Sequence, residues 1–215
     1  MSLEKLRKEY SETSLSDTPT PSNPLDLFNF WFNNAVECKI LEPNAMALAT
    51  VDTFNAPSIR FVLLKGFDEQ GFRFFTNKES KKGKDISSNP QVALAFYWDV
   101  LERQVRIQGK VTELPREESE RYFHQRPLDA QIAAASSKQS QPITSPEEMY
   151  KNYLDLKKSH PEGPVPLPEN WGGYLVIPES IEFWKGKKNR LHERLRYFRN
   201  QNEAGTSWRK EWLQP

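Results

Sequence analysis

The chain has 215 residues, enough for one sizeable hydrophobic core, since domains commonly run about 100 to 200 residues. Lys and Arg number 30 against 29 Asp and Glu, a formal net charge of +1. That balance excludes a global electrostatic pull toward nucleic acid or an anionic membrane, so any cationic site must be local. The one cysteine, Cys38, excludes an intrachain disulfide and is expected to be packed and inert, as free cysteines usually are.

Residues 1–23 read as a flexible N-terminal arm, rich in Ser, Thr and Pro from position 11, and residues 24–215 as a single domain. The N-terminus lacks the apolar core of a secretory signal, and runs such as Phe61-Val62-Leu63-Leu64 fall far short of the roughly 20 residues needed to cross a bilayer. A soluble, cytoplasmic protein is expected.

Asn23-Pro24 supplies a cap and first position for a helix, in which Leu25, Phe28, Trp31, Phe32 and Ala35 recur at helical spacing and predict a buried face. The period then shortens. Ala45 to Val51, Ser58 to Gly66 and Phe72 to Thr76 are apolar or β-branched runs joined by Asp52 to Pro57 and Asp68 to Gly71, the pattern of strands in hairpins. A Lys-rich helical turn from Ser80 to Ser88 precedes two more strands, Val92 to Trp98 and Gln104 to Glu113. Short links between sequential strands predict an antiparallel meander or barrel.

Pro115 opens a polar helix that ends before Pro127, and Ser145-Pro146-Glu147-Glu148 is a capping box for another to about Lys158. Pro161 to Pro168 is a connector. From Trp171 the pattern returns to strands, with Asn202 to Thr206 as the last hairpin loop.

If Arg190 to Arg194 is extended, Arg190, His192 and Arg194 share one face at spacing two, which is either a solvated strand surface or a binding face. Tyr122 and Arg126, four apart on a helix, can grip one phosphate through charge-assisted hydrogen bonds, or form a surface pair. Arg60 and Lys65 bracket a strand, and Lys81-Lys82 opens a helical segment. The chain has no Gly-x-Gly-x-x-Gly, no phosphate-loop Gly-Lys-Ser/Thr, no Gly-x-Ser-x-Gly and no Cys or His at metal spacing, so no metal site is expected.

Seven blocks stand in order: Arg60 to Gly66, Gly71 to Asn77, Arg103 to Arg106, Tyr122 to Pro127, Trp171 to Tyr174, Ile181 to Trp184 and Asn189 to Arg194. Together they resemble the pyridoxamine 5'-phosphate oxidase family from about Pro24 to Pro215. The resemblance implies a mainly β fold with flanking helices, an FMN-binding split barrel of six antiparallel strands in a Greek-key-type arrangement. It also implies a homodimer with FMN at the interface, oxidising pyridoxine or pyridoxamine 5'-phosphate to pyridoxal 5'-phosphate while O2 becomes H2O2.

By the family pattern, Arg60, Val62, Leu63, Phe75, Thr76 and Lys81 contact FMN. Lys82, Gln104, Gln139, Ser140, Trp184 and Arg194 complete that set. Lys65, Tyr122, Arg126, Arg190 and His192 contact the substrate, Arg190 and His192 acting at the reacting centre by orienting it or handling a proton. Arg7 and Tyr10 resemble lid residues of some members. The competing readings are another split-barrel flavoprotein, a non-catalytic carrier of pyridoxal phosphate or FMN, and a nucleic-acid module built on the basic and aromatic residues of Arg190 to Arg199.

The chain departs from the pattern at three places. Lys81 replaces an Arg and keeps charge without the bidentate fork. Trp212-Leu213-Gln214-Pro215 replaces Arg-Leu-Ala-Pro. Ala130-Gln131-Ile132-Ala133 replaces Ser-Gln-Ile-Gly and removes a hydroxyl expected at the substrate phosphate. One such hydrogen bond is worth about 0.5 to 1.5 kcal/mol, so Ala130→Ser is expected to lower the Michaelis constant up to roughly tenfold with turnover unchanged. Steady-state kinetics on the variant checks this.

Overall fold

The computed structural model describes residues 2–5, 8–17, 20–161, 163–202 and 205–215. Arg7 and the tip of the expected Asn202 to Thr206 loop lie outside them. Helix α1 (Pro24–Glu37) starts as its cap dictates, the Leu25 N–H donating to Asn23 Oδ1 at 3.1 Å with Pro24 in the first turn. Leu25, Phe28, Trp31 and Ala35 are buried at the expected spacing, with Leu27, and Phe32 packs at their edge. Cys38, expected to be packed, is exposed: it caps the C-terminus of α1, past the last turn of the buried stripe.

Among the described residues nine strands follow: β1 (Ala45–Val51), β2 (Pro57–Leu63), β3 (Gly66–Asp68), β4 (Gly71–Asn77), β5 (Gln91–Trp98), β6 (Arg103–Glu113), β7 (Trp171–Lys185), β8 (Glu193–Asn202) and β9 (Gly205–Leu213). Their hydrogen-bonded order is β2-β1-β5-β6-β7-β4-β3, with β8 beside β7 and β9 beside β8, and every pairing is antiparallel. The six-strand path from β2 to β4 is the barrel; β3 and the β8–β9 hairpin extend it.

The order is not a meander, because β2 and the next long strand, β4, stand at opposite ends of that path. They nevertheless approach within 8 Å between Cα atoms, since the sheet curls until its ends face one another across an open split. The single strand expected from Ser58 to Gly66 breaks at this point. Leu64 N–H bonds Asn44 O on the β1 side and Lys65 N–H bonds Arg73 O on β4, so residues 64 and 65 step across the split.

Helices α2 (Lys81–Ser88), α3 (Arg116–Gln125), α4 (Leu128–Ser136) and α5 (Pro146–Ser159) complete the chain. The sequence reading missed α4: LDAQIAAAS buries only Gln131 and Ile132, so it carries almost no periodic signal. Gln131 closes the break after α3 by donating from Nε2 to Arg126 O at 2.8 Å.

Strand β7 is 15 residues long and pairs with β6 from Tyr174 to Lys185. Its first half pairs on the other side with β4 and its second with β8. The change of partner falls at Pro178, which cannot donate a ladder hydrogen bond, opposite a register shift between Gln108 and Gly109. A side chain at Gly109 would put its Cβ 2.1 Å from Ile177 O, so the bulge requires glycine.

The arm, expected to be flexible, is tied down between Ser11 and Leu15. Ser11 donates from its N–H (2.9 Å) and its Oγ (2.7 Å) to Glu102 Oε2, and Lys185 Nζ donates to the same oxygen at 3.0 Å. Glu193 accepts from Ser14 Oγ and from the Leu15 N–H, and Leu15 is buried. Burial alone would raise the Glu102 carboxyl, but Ser11 and Lys185 outweigh it and bring the pKa down to about 2.

Glu102 therefore contributes its full stabilisation above its ordinary value of 4.5 and loses it as the pH falls toward about 2. At neutral pH, Glu102→Ala leaves the buried Lys185 ammonium unpaired. The expected loss is about 3 to 5 kcal/mol, read by urea unfolding, together with faster proteolytic cleavage within residues 8–17. An unchanged urea midpoint and cleavage rate would show that this pair does not anchor the arm.

Candidate active site

A cavity of about 740 Å³ occupies the split, within the size range of small-molecule sites. Strand β2 supplies Arg60, Val62 and Leu63, and the crossing step supplies Lys65. Strand β4 adds Phe75 and Thr76, α2 adds Lys81 and Lys82, and α3 adds Tyr122, with Arg126 just past its end. Gln139 and Ser140 reach in from the segment after α4. The lining also includes Phe61, Asn77, Ala133, Ala134, Ser137 and Trp171, which were not assigned site roles from the sequence. Ala130 is half-buried on the first turn of α4 and does not line the cavity, whereas Ala133, one turn on, does.

Two groups of cations face this space. In the first, Arg60 Nη1 donates to Leu48 O at 3.1 Å and to Thr50 Oγ1 at 2.7 Å, and Lys81 Nζ donates to Asp85 Oδ1 at 2.6 Å and Asp52 Oδ2 at 3.3 Å. Lys82 is buried with only hydroxyl partners, Thr76 Oγ1 at 3.2 Å and Ser80 Oγ at 3.3 Å. Burial, and then repulsion from Arg60, lowers the pKa of this ammonium. Thr76 Oγ1 in turn donates to Gln139 Oε1 at 3.0 Å.

The second group centres on Arg126. Its Nη1 is buried with no hydrogen-bond partner among the described residues, and its Cζ lies 5.2 Å from the Trp171 ring centroid and 5.7 Å from that of Phe123. Phe75, Tyr122 and Trp171 form a stack beside it. Phe75 and Tyr122 are 4.0 Å apart at 21°, and Phe75 and Trp171 5.6 Å apart at 12°. A guanidinium with a buried, unpartnered Nη1 and a buried ammonium without a carboxylate are both costly unless an anion completes them.

Five expected residues lie elsewhere: Gln104, Trp184, Arg194, Arg190 and His192 do not line the cavity. Gln104, Trp184 and Arg194 are register partners across β6, β7 and β8 and so stand side by side on one face. Arg194 is held by Glu182, from Nε to Oε1 at 2.8 Å and from Nη2 to Oε2 at 3.2 Å, while its Nη1 donates to Gln214 O at 3.0 Å.

Arg190, His192 and Arg194 do not share a strand face. A 3₁₀ turn at Lys188–Arg190, with Asn189 (φ 56°) and Arg190 (φ 63°) in the left-handed region, precedes β8 at Glu193. The turn leaves His192 4.8 Å from the Trp184 ring and 5.2 Å from the Tyr10 ring. The Lys187 N–H donates to His192 Nδ1 at 3.1 Å, so the neutral ring carries its proton on Nε2. Among the described residues no cluster of His, Cys, Asp or Glu could hold a metal ion, and no helix is long and apolar enough to cross a membrane.

The family model described as pyridoxamine 5'-phosphate oxidase matches residues 32–152, and that of the pyridoxine 5'-phosphate oxidase C-terminal dimerisation region matches residues 171–215. A pyridoxine/pyridoxamine 5'-phosphate oxidase of Salinibacter ruber is 48% identical over 214 residues, 99% of each chain. One of Bordetella petrii is 48% identical over 197 residues, 92% of this chain and 93% of the relative. Among solved structures, PhzG from Burkholderia lata in complex with tetrahydrophenazine-1-carboxylic acid superposes with a TM-score of 0.88 at 27% identity, covering 97% of this chain and all of that one. A pyridoxamine 5'-phosphate oxidase-related, FMN binding protein from Nostoc punctiforme, at 18% identity and TM-score 0.70, shares the fold over 92% of this chain and 99% of its own.

Burial, and then the charge of Arg190, lowers the His192 pKa from its ordinary 6.5. The fold thus favours the neutral ring, and its stability rises with pH between the lowered value and 6.5. The ring's NMR titration is expected to fall below 6.5, and Arg190→Ala to move it up. A titration at or above 6.5 in the unaltered protein contradicts the environment described.

Proposed function

The chain belongs to the pyridoxamine 5'-phosphate oxidase family, and on that footing we propose that it is a cytoplasmic, homodimeric, FMN-dependent oxidase of pyridoxine and pyridoxamine 5'-phosphates. One observation carries this reading. A single cavity is lined by Arg60, Lys81 and buried Lys82, which has no carboxylate partner, and by Arg126, whose Nη1 is buried without a partner among the described residues, beside an aromatic stack. Such a site suits two phosphorylated ring compounds lying together, and the Lys82 group fits FMN because its ammonium lacks an anionic partner.

Arg60, Lys81 and Lys82 hold the FMN phosphate, and Val62, Leu63, Phe75, Thr76, Gln139 and Ser140 line its remaining path. Lys65, Tyr122 and Arg126 hold the substrate phosphate. Gln104, Trp184 and Arg194, which one chain keeps off the cavity, meet the flavin from the second copy, and Arg190 and His192 from that copy reach the substrate ring. The region matched as a C-terminal dimerisation region contains four of these five residues, which favours the arrangement. The arm acts as a lid, with the Tyr10 ring set edge-on to Trp184 and His192.

FMN held by these residues would supply the two-electron chemistry, taking hydride from the substrate's 4' carbon, with O2 as the terminal oxidant and H2O2 as its product. The protein's part is positioning. It holds two phosphates at fixed points so that the rings meet at near-attack distance, and it offers the His192 Nε2–H as a donor toward the substrate. Neutral His192 donates there without adding a second cation beside Arg190. For the amine, water releases ammonia from the oxidised product.

The purified protein is expected to be yellow and to release FMN on denaturation. With pyridoxine 5'-phosphate it is expected to form aldehyde and peroxide in equal amounts. Colourless protein that FMN does not reconstitute sinks the reading, and ligand binding without peroxide favours a carrier.

A further inference from the structure

The buried carboxylate of Asp85 has no part in the roles given above, yet it lies behind the cations assigned to the FMN phosphate. Only 2% of Asp85 is exposed. Its Oδ2 accepts from Thr50 Oγ1 at 2.7 Å and lies 3.8 Å from Arg60 Nη2, and its Oδ1 accepts from Lys81 Nζ at 2.6 Å. Thr50, fully buried, also accepts from Arg60 Nη1 at 2.7 Å. Arg60, Thr50, Asp85 and Lys81 thus form one continuous chain of polar contacts. Lys82 stands outside it, with hydroxyl partners only.

We infer that Asp85 is a positioning residue for the phosphate end of the cofactor site, aiming Arg60 and Lys81 at one point before any ligand arrives. The inference rests on the FMN reading above. Arg60 spends both Nη1 hydrogens on Leu48 O and Thr50 Oγ1, which fixes the guanidinium plane and leaves Nε and Nη2 for an anion. Lys81 is a flexible point charge where the family pattern has an Arg, so it gains most from being held. Side chains ordered beforehand are not ordered at the expense of binding.

The carboxylate also removes charge. With Asp52 it offsets two of the three cations Arg60, Lys81 and Lys82, so much of the pull on a phosphate falls to Lys82. Positioning and attraction therefore predict opposite results when Asp85 loses its charge. If attraction dominates, Asp85→Asn tightens phosphate binding; if positioning dominates, it weakens it.

Riboflavin, which has the same ring and ribityl chain without the phosphate, separates this role from a merely structural one. Affinities of the apoprotein for FMN and riboflavin are measured by quenching of flavin fluorescence. For Asp85→Asn, FMN affinity is expected to fall about tenfold while riboflavin affinity stays within about twofold, with partial recovery in Asp85→Glu. Thr50→Val keeps the side-chain shape, breaks the link to Arg60, and gives the same comparison should Asp85→Asn fail to fold.

Equal losses for both ligands, or FMN binding that is unchanged or tighter, overturn the positioning role. An unaltered protein with no preference for FMN over riboflavin overturns the reading of the cavity and this inference with it.

Discussion

The architecture turns on one strand that must satisfy three neighbours. β7 pairs with β6 from Tyr174 onward, with β4 before Pro178 and with β8 after it. A straight strand cannot serve both β4 and β8 in one plane, and the Gln108/Gly109 shift with Pro178 opposite provides the bend. Trp171 at the start of β7 therefore lines the cavity in the split, while Trp184 near its end stands beside Gln104 and Arg194 on the other group of expected site residues. One bulge thus separates the two clusters within a single chain.

Charge within the fold is arranged locally, as the near-neutral composition demands. Glu102, Asp85 and Glu182 are buried, and each is compensated by at least one cation: Lys185, Lys81 and Arg194 respectively. A buried ion pair with this many hydrogen bonds is rarely a large net source of stability, because desolvation offsets the attraction. What it secures is direction. Glu182 grips Arg194 through both Nε and Nη2, which fixes the plane of the guanidinium, and the Gln214 carbonyl restrains its remaining edge. The cavity reverses the pattern, since Lys82 and Arg126 face it without carboxylates.

Most of the elements were legible because their burial is periodic. The α1 stripe from Leu25 to Ala35 and the alternation of β1 and β5 are direct records of one buried face. Helix α4 left no such record, and the lining it supplies, Ala133 and Ala134, went unassigned with it. Asp85 was illegible for another reason: in Lys-Lys-Gly-Lys-Asp an acid four residues after a lysine reads as a solvated helical pair, and only packing against Thr50 on β1 makes it a buried anchor. Cys38 was misread by the general habit of free cysteines, which a helix terminus overrides. The division of the expected site residues into two clusters was not legible, because spacing along a chain carries no information about which side of a bent strand a residue will face.

The Arg190 to His192 segment shows why that division matters. Extended backbone would have aligned Arg190, His192 and Arg194, whereas the chain adopts left-handed conformations at Asn189 and Arg190, which for a residue such as Arg190 typically cost about 1 to 2 kcal/mol. Several contacts hold the turn in place. The Lys187 N–H meets His192 Nδ1, Lys188 pairs with Glu12, and Tyr10 lies over Gly186, where a Cβ would sit 2.4 Å from its ring. Tyr10 and Glu12 belong to the arm. The arm and the turn are therefore one packed unit, and the tautomer of His192 follows from that packing, since an imidazole whose Nδ1 accepts a backbone hydrogen can carry its neutral-state proton only on Nε2. Segments that look separate in the chain, the N-terminal arm and the turn before β8, pack on the same ring.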